Sequence, residues 1–324
     1  ALTVTGDAII DGTLTGNNSV VRLGSLAVGG TYSASSNETI ITSERSNGRA
    51  VDIVGTFTHN SGTIEIQTAA DTDLRWPSSS SAYHININHA SCIARPTGSN
   101  KPPIAGNLYI KQGKFSLLDS DGSTTHPCTV TGSCTIGDGS GSANTAIFEG
   151  RDDSVTFGSL TIDSDGQYDA TSGTTTLTTA GASGTRSFYN NGGTFTHNNG
   201  TIKIDTSTNT NYDFDGDDLY NFTVECEDGS GALQCDGQAS TPVTVLNNLD
   251  IVMGILRTNG NTFTVHGNVY VRATSKTNKN KFVGQQVTQN VYGLITVEDG
   301  AFYDLANQGS GSYGTLNAGG IRIL

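Results

Sequence analysis

The chain has 324 residues, a formal net charge of −13 and a composition that is 34% hydrophobic and 15% charged with 41 glycines, which is not the mixture of an ordinary globular domain. The acidic balance repels phosphate backbones and anionic headgroups, which argues against nucleic acid as a partner. No run approaches the roughly 18 apolar residues of a membrane-spanning helix, so no membrane insertion is expected.

Helix-forming runs of Leu, Glu, Lys and Ala are replaced by Thr, Ser, Gly, Asn and Asp between short apolar triplets, so strand is predicted almost everywhere. The first predicted strand, 2–10 (LTVTGDAII), returns at 128–136 (CTVTGSCTI) and 263–271 (FTVHGNVYV), aligning Val4, Val130 and Val265. Next, 25–35 (SLAVGGTYSAS) returns at 159–171 and 294–305, aligning Val28, Ile162 and Val297 at nearly the same spacing. The stretch 55–68 (GTFTHNSGTIEIQT) returns at 193–206 (GTFTHNNGTIKIDT), which makes His59 and His197 equivalent. Then 82–87 (AYHINI) answers 219–224 (LYNFTV), and 107–115 (NLYIKQGKF) answers 248–256 (NLDIVMGIL). The chain is therefore three copies of one repeat of roughly 135 residues: copy 1 at 1–128, copy 2 at 129–263 and a partial copy 3 at 264–324.

Triplets such as Phe222-Thr223-Val224 and Val269-Tyr270-Val271 put two apolar side chains on one face and a polar one on the other, which is strand periodicity. Asn-Gly pairs at 199–200 and 259–260, and Asp-Gly pairs at 121–122, 165–166 and 215–216, mark turns between them. Many short strands with Asn and Gly at the corners predict an all-β fold, a parallel β-solenoid (β-helix) whose coils stack around a thin apolar core; one β-sandwich per repeat is the competing arrangement. Phe57 and Phe195, each flanked by outward threonines, are predicted to point inward. Runs such as 193–204 (GTFTHNNGTIKI), 218–224 (DLYNFTV) and 243–271 resemble the β-helical repeat proteins of bacteriophage tail fibres and very large bacterial surface adhesins, and the opening 2–16 (LTVTGDAIIDGTLTG) is similar to the start of phage fibre segments. That resemblance covers nearly the whole chain, rests on composition and architecture, and implies an extracellular appendage.

Candidates for chemistry are few. Cys92, Cys128, Cys134, Cys226 and Cys235 form no zinc-type pattern, but Cys128/Cys134 and Cys226/Cys235 are close enough to close small loops in an oxidising exterior. His59 and His197 recur beside Asn and read as corner residues; His84 and His89, five apart, are predicted to face opposite sides of a strand and to share no metal. Acid clusters at Asp152/Asp153, Asp213/Asp215/Asp217/Asp218 and Glu225/Glu227 lack the aromatic platform of a glycan-cleaving groove, Trp76 being the only tryptophan. Asp213, Asp215, Asp217 and Asp218 resemble the start of an EF-hand loop and are the candidate calcium ligands, but Val224 stands where the loop's closing glutamate belongs. Thr-x-Thr pairs (Thr3/Thr5, Thr56/Thr58, Thr194/Thr196) recur once per long repeat, too sparsely for an ice-binding array. The expectation is a structural, non-catalytic, cofactor-free component of an extracellular fibre or filament, such as a phage tail fibre or surface appendage. The alternative is a glycan-binding host-recognition adhesin module. Partners are then other fibre chains or copies joined end to end, through an edge such as Ile321 to Leu324, or a cell-surface glycan.

Overall fold

A computed structural model describes residues 1–324 except 78, 98–103, 121, 143, 144, 182–185, 228–232, 239, 240, 274–279 and 306–312. Asp121 of the expected turn at 121–122 lies outside the described residues. These contain no helix, and their strands stack in parallel as a β-solenoid of about 11 turns. They fall into two compact units: Ala1–Thr156 with Thr161–Ala170 and Gly192–Thr196, and Phe157–Leu160 with Thr171–Asn191 and His197–Leu324.

In the first unit, parallel pairing carries one inward position from coil to coil: Val4 pairs with Leu23, then Ile41, Ile66, Ile87, Ile110 and Ile136. From Leu23 through Ile136 every member is buried. Aromatic rings form a second kind of column, with Phe115, Phe148, Tyr168 and Phe195 paired in register and neighbouring centroids 5.7, 5.5 and 6.0 Å apart. Phe57 and Phe195 both face inward. Phe57 is buried between Tyr32 and Trp76, whereas Phe195 is half-buried.

The second unit repeats the device. Ile204, Val224, Ile251, Val271, Val297 and Ile323 form one column, Phe282 stacks on Tyr303 at 4.6 Å, and Phe263 stands edge-on to Phe282 at 5.7 Å. The amount of chain used per coil is uneven: the step from Leu23 to Ile41 is short, and the step from Val224 to Ile251 is half as long again.

The long repeat is not a whole number of coils. The column that starts at Val4 reaches Ile136 after six steps, yet the repeat makes Ile136 the equivalent of Ile10 and makes Val130 the equivalent of Val4. Val130 instead joins a column with Ala82 and Ile104. Successive copies therefore land one column further round, and equivalent Thr-x-Thr pairs do not line up on one face.

Corners are set by backbone crowding. A Cβ on Gly30 would lie 2.2 Å from the carbonyl oxygen of Gly12, and one on Gly55 would lie 2.2 Å from that of Gly30. Only glycine fits where one coil's corner sits on the next. Gly55→Ala should therefore cost about 1–3 kcal/mol through forced backbone displacement, whereas Gly12→Ala, with open space around its Cβ, should stay within about 0.5 kcal/mol of wild type. Denaturant unfolding of the two variants measures the difference, and equal stabilities would contradict the corner geometry.

Candidate functional site

The acidic turn is built by the strand Thr210–Asp213, which ends in a turn with positive φ at Asp215 (53°) and Gly216 (86°). Its carboxylates go to separate partners. Asp213 is buried, accepts the Asp215 backbone N–H at 3.2 Å and lies 3.8 Å from Arg186. Asp217 accepts a hydrogen bond from the Asn190 amide, and Asp218 opens the next strand opposite Thr244. Among the described residues no three His, Cys, Asp or Glu side chains are grouped to hold a metal ion. Burial pushes the Asp217 carboxyl up to about 6; the neighbouring charges of Asp215 and Asp218 add to this, and the Asn190 bond partly offsets it.

The histidines act in the corners. His59 Nδ1 accepts the Ser61 N–H and His197 Nδ1 accepts the Asn199 N–H, each at 2.9 Å, and each ring stacks on the tyrosine of the next coil, Tyr83 at 5.1 Å and Tyr220 at 5.7 Å. His84 Nδ1 accepts the Asn107 N–H at 2.9 Å. Its repeat equivalent, Asn221, accepts the N–H of Asn248, the equivalent of Asn107, through Oδ1. The imidazole thus does the work of a corner asparagine. The expectation that His84 and His89 face opposite sides assumes a regular strand. Regular pairing breaks after Ile87 and again after Asn88, and both rings are half-exposed, with His89 Nδ1 accepting from Ser91 N–H.

The other acids are likewise engaged: Glu225 lies 2.6 Å from Lys203, and Asp153 accepts from Thr125 at 3.0 Å. Trp76 is buried, edge-on to Phe57, so it presents no ring to a sugar. All five cysteines are free and buried, and neither expected bridge is formed. Cys128 and Cys134 lie on one strand, Cys128–Ile136, and burial raises both thiols, with the charge of Cys128 adding to the rise at Cys134.

The strand Leu2–Ile10 lies on Val21–Val28, and Leu316–Ile323 lies on Gln289–Val297; no ladder among the described residues covers their other edges. The two strand pairs share one design, with the same register break after the third residue, Val4 to Asp7 in one and Val291 to Leu294 in the other. Column positions exposed at these edges are covered elsewhere. Leu2 is 39% exposed and Val4 half-buried, yet their equivalents Cys128, Val130, Phe263 and Val265 are buried. Ile321 and Ile323, 58% and 79% exposed, extend the columns of Ile295 and Val297. Tyr292, Leu294 and Phe302 are also exposed near this edge, a patch that triplet patterning alone did not mark. Compared with protein families, curated proteins and solved structures, the chain matches none.

The raised Asp217 acidity constant has a sign that can be checked. A folded-state value near 6 against 3.8 means that ionising Asp217 opposes folding, with no penalty below about pH 3.8 and the whole penalty above about pH 6. Asp217→Asn should raise the melting temperature at pH 7.5 and lose that advantage at pH 3.5. Melting curves at both pH values measure it, and an equal effect at the two would refute a buried, reluctant carboxylate.

Proposed function

We propose that the chain is a structural, non-catalytic segment of an extracellular fibre or filament, of the kind found in phage tail fibres or cell-surface appendages. The continuous inner columns carry this reading: within each unit, inward apolar side chains repeat in register from coil to coil, and stacked repeats draw their stability from nearest-neighbour contacts. Such coils can be added end to end, from further copies or other fibre chains, without a new kind of interface.

The chemistry elsewhere supports the same reading. Acids sit in ion pairs and turns, histidines hold corners, and the exposed Thr3/Thr5, Thr56/Thr58 and Thr194/Thr196 lie on different columns. A glycan-binding adhesin module draws support from one feature, the 65% exposed Tyr292 with His266 5.0 Å from its ring.

Sedimentation velocity and negative-stain imaging at micromolar concentration test the structural reading. End-to-end oligomers or short filaments are expected, shortened by Ile321→Lys with Ile323→Lys. A strictly monomeric chain with an ordered 321–324 segment would count against it, and glycan-array binding lost in Tyr292→Ala would move the assignment to the adhesin.

A further inference from the structure

Cys226 and Cys235 differ from the other three cysteines in standing beside one another. Cys226 directly follows the strand Asn221–Glu225, and Cys235 lies in the strand Gln234–Gly237; both are fully buried. The chain that leaves at Cys226 comes back alongside it. The Leu233 N–H donates to the Cys226 carbonyl at 3.1 Å, while the Cys226 N–H donates to the Met253 carbonyl at 2.9 Å. Cys235 is held in register between Thr210 of one coil and Leu256 of the next, which fixes its side chain toward the core. The Cys226 sulfur accepts the Thr206 hydroxyl at 3.4 Å and donates toward the Ile204 carbonyl at 3.8 Å, and the Cys235 thiol lies near enough to perturb it.

We infer that Cys226 and Cys235 form an intrachain disulfide when the chain folds under oxidising conditions, and that Cys92, Cys128 and Cys134 stay reduced. The hydrogen bond from Cys235 favours the Cys226 thiolate, lowering that thiol despite its burial, whereas burial raises Cys235. In the folding chain either sulfur can attack first; when it is Cys226, its thiolate attacks a small-molecule disulfide such as oxidised glutathione, forming a mixed disulfide and releasing one glutathione thiolate. The Cys235 sulfur, having given up its proton, then attacks Cys226, closing the bridge and releasing the second glutathione. Two protein thiols are oxidised and one glutathione disulfide is reduced to two thiols. Both sulfurs are closed off in the folded chain, so the exchange belongs to folding, before the neighbouring coils seal the site. By contrast Cys128 and Cys134, on the strand Cys128–Ile136, are pushed upward by burial, Cys128 to about 12.

The test is thiol mapping of the full chain produced in an oxidising compartment and purified without reductant. Under denaturing alkylation three of the five thiols should react, and the peptides holding Cys226 and Cys235 should remain joined; after reduction all five should react. Reductant should lower the melting temperature of wild type but not of Cys235→Ala. Five reactive thiols in the oxidised preparation, or a bridge joining any other pair, would overturn the inference. Should Cys235→Ala fail to fold, the wild-type peptide map still decides.

Discussion

Every coil must hydrogen-bond to the coil beneath it, and a parallel ladder that does this leaves about 4.8 Å between backbones. The rest of the structure follows from that spacing. An inward side chain meets its counterparts directly above and below, so each column needs similar apolar volumes, as in Ile66, Ile87 and Ile110. Where the chain turns, the same spacing leaves no room for a Cβ, and glycine sits on glycine at Gly12, Gly30 and Gly55, and again at Gly267 and Gly293. The corner N–H groups still need acceptors. Side chains of the preceding coil supply them: Asn248 Oδ1 for Asn268, and Asn268 Oδ1 for Leu294, both at 2.9 Å.

Stacking also brings outward side chains close together, which is demanding for a chain of net charge −13. Opposite charges are therefore interleaved. Asp52, buried, is met by Arg45, Arg49 and Arg75. Lys203 sits between Asp205 and Glu225, and Arg272 between Asp250 and Glu298. Glu65 has no such cation in contact. Burial alone would raise its carboxyl, but amide donors from Gln67, Asn88 and Asn86, aided by the charge of Lys111, outweigh that and hold it below its usual range. Such pairs are individually worth little, and the interleaving is not complete: burial, together with the neighbouring Glu65, raises the Glu38 carboxyl.

Strand, turn and inward-facing positions were legible because they are local: the period-two triplets and the Asn-Gly corners need no knowledge of neighbours. Coil length was not legible. Unequal steps, short from Leu23 to Ile41 and longer from Val224 to Ile251, leave no short period to find, and the long repeat that is visible spans a fractional number of coils. The role of His84 became readable only when its alignment with Asn221 was joined to the hydrogen bond that each accepts. Strict alternation from His84 to His89 likewise assumes regular pairing, and the strand breaks its pairing at Asn88. The acidic turn looked like a shared site because its residues are adjacent in sequence, yet the turn sends Asp213 toward Arg186 and Asp217 toward Asn190.

The fractional repeat bears on what the chain was shaped to do. A surface that must present one motif to a regular ligand needs that motif on the same face in every copy, which requires a repeat that closes on whole coils. Here the Val4 column returns at Ile136, the equivalent of Ile10, so each duplication turns its outer motifs onto another face while the inner columns stay apolar. Those columns tolerate the rotation because Val130, entering a column with Ala82 and Ile104, meets side chains no different in kind from those beside Val4. Interior compatibility survives the shift and surface periodicity does not. A chain that keeps the first and not the second is consistent with the proposed fibre segment, which needs coils that stack and no binding face repeated in every copy.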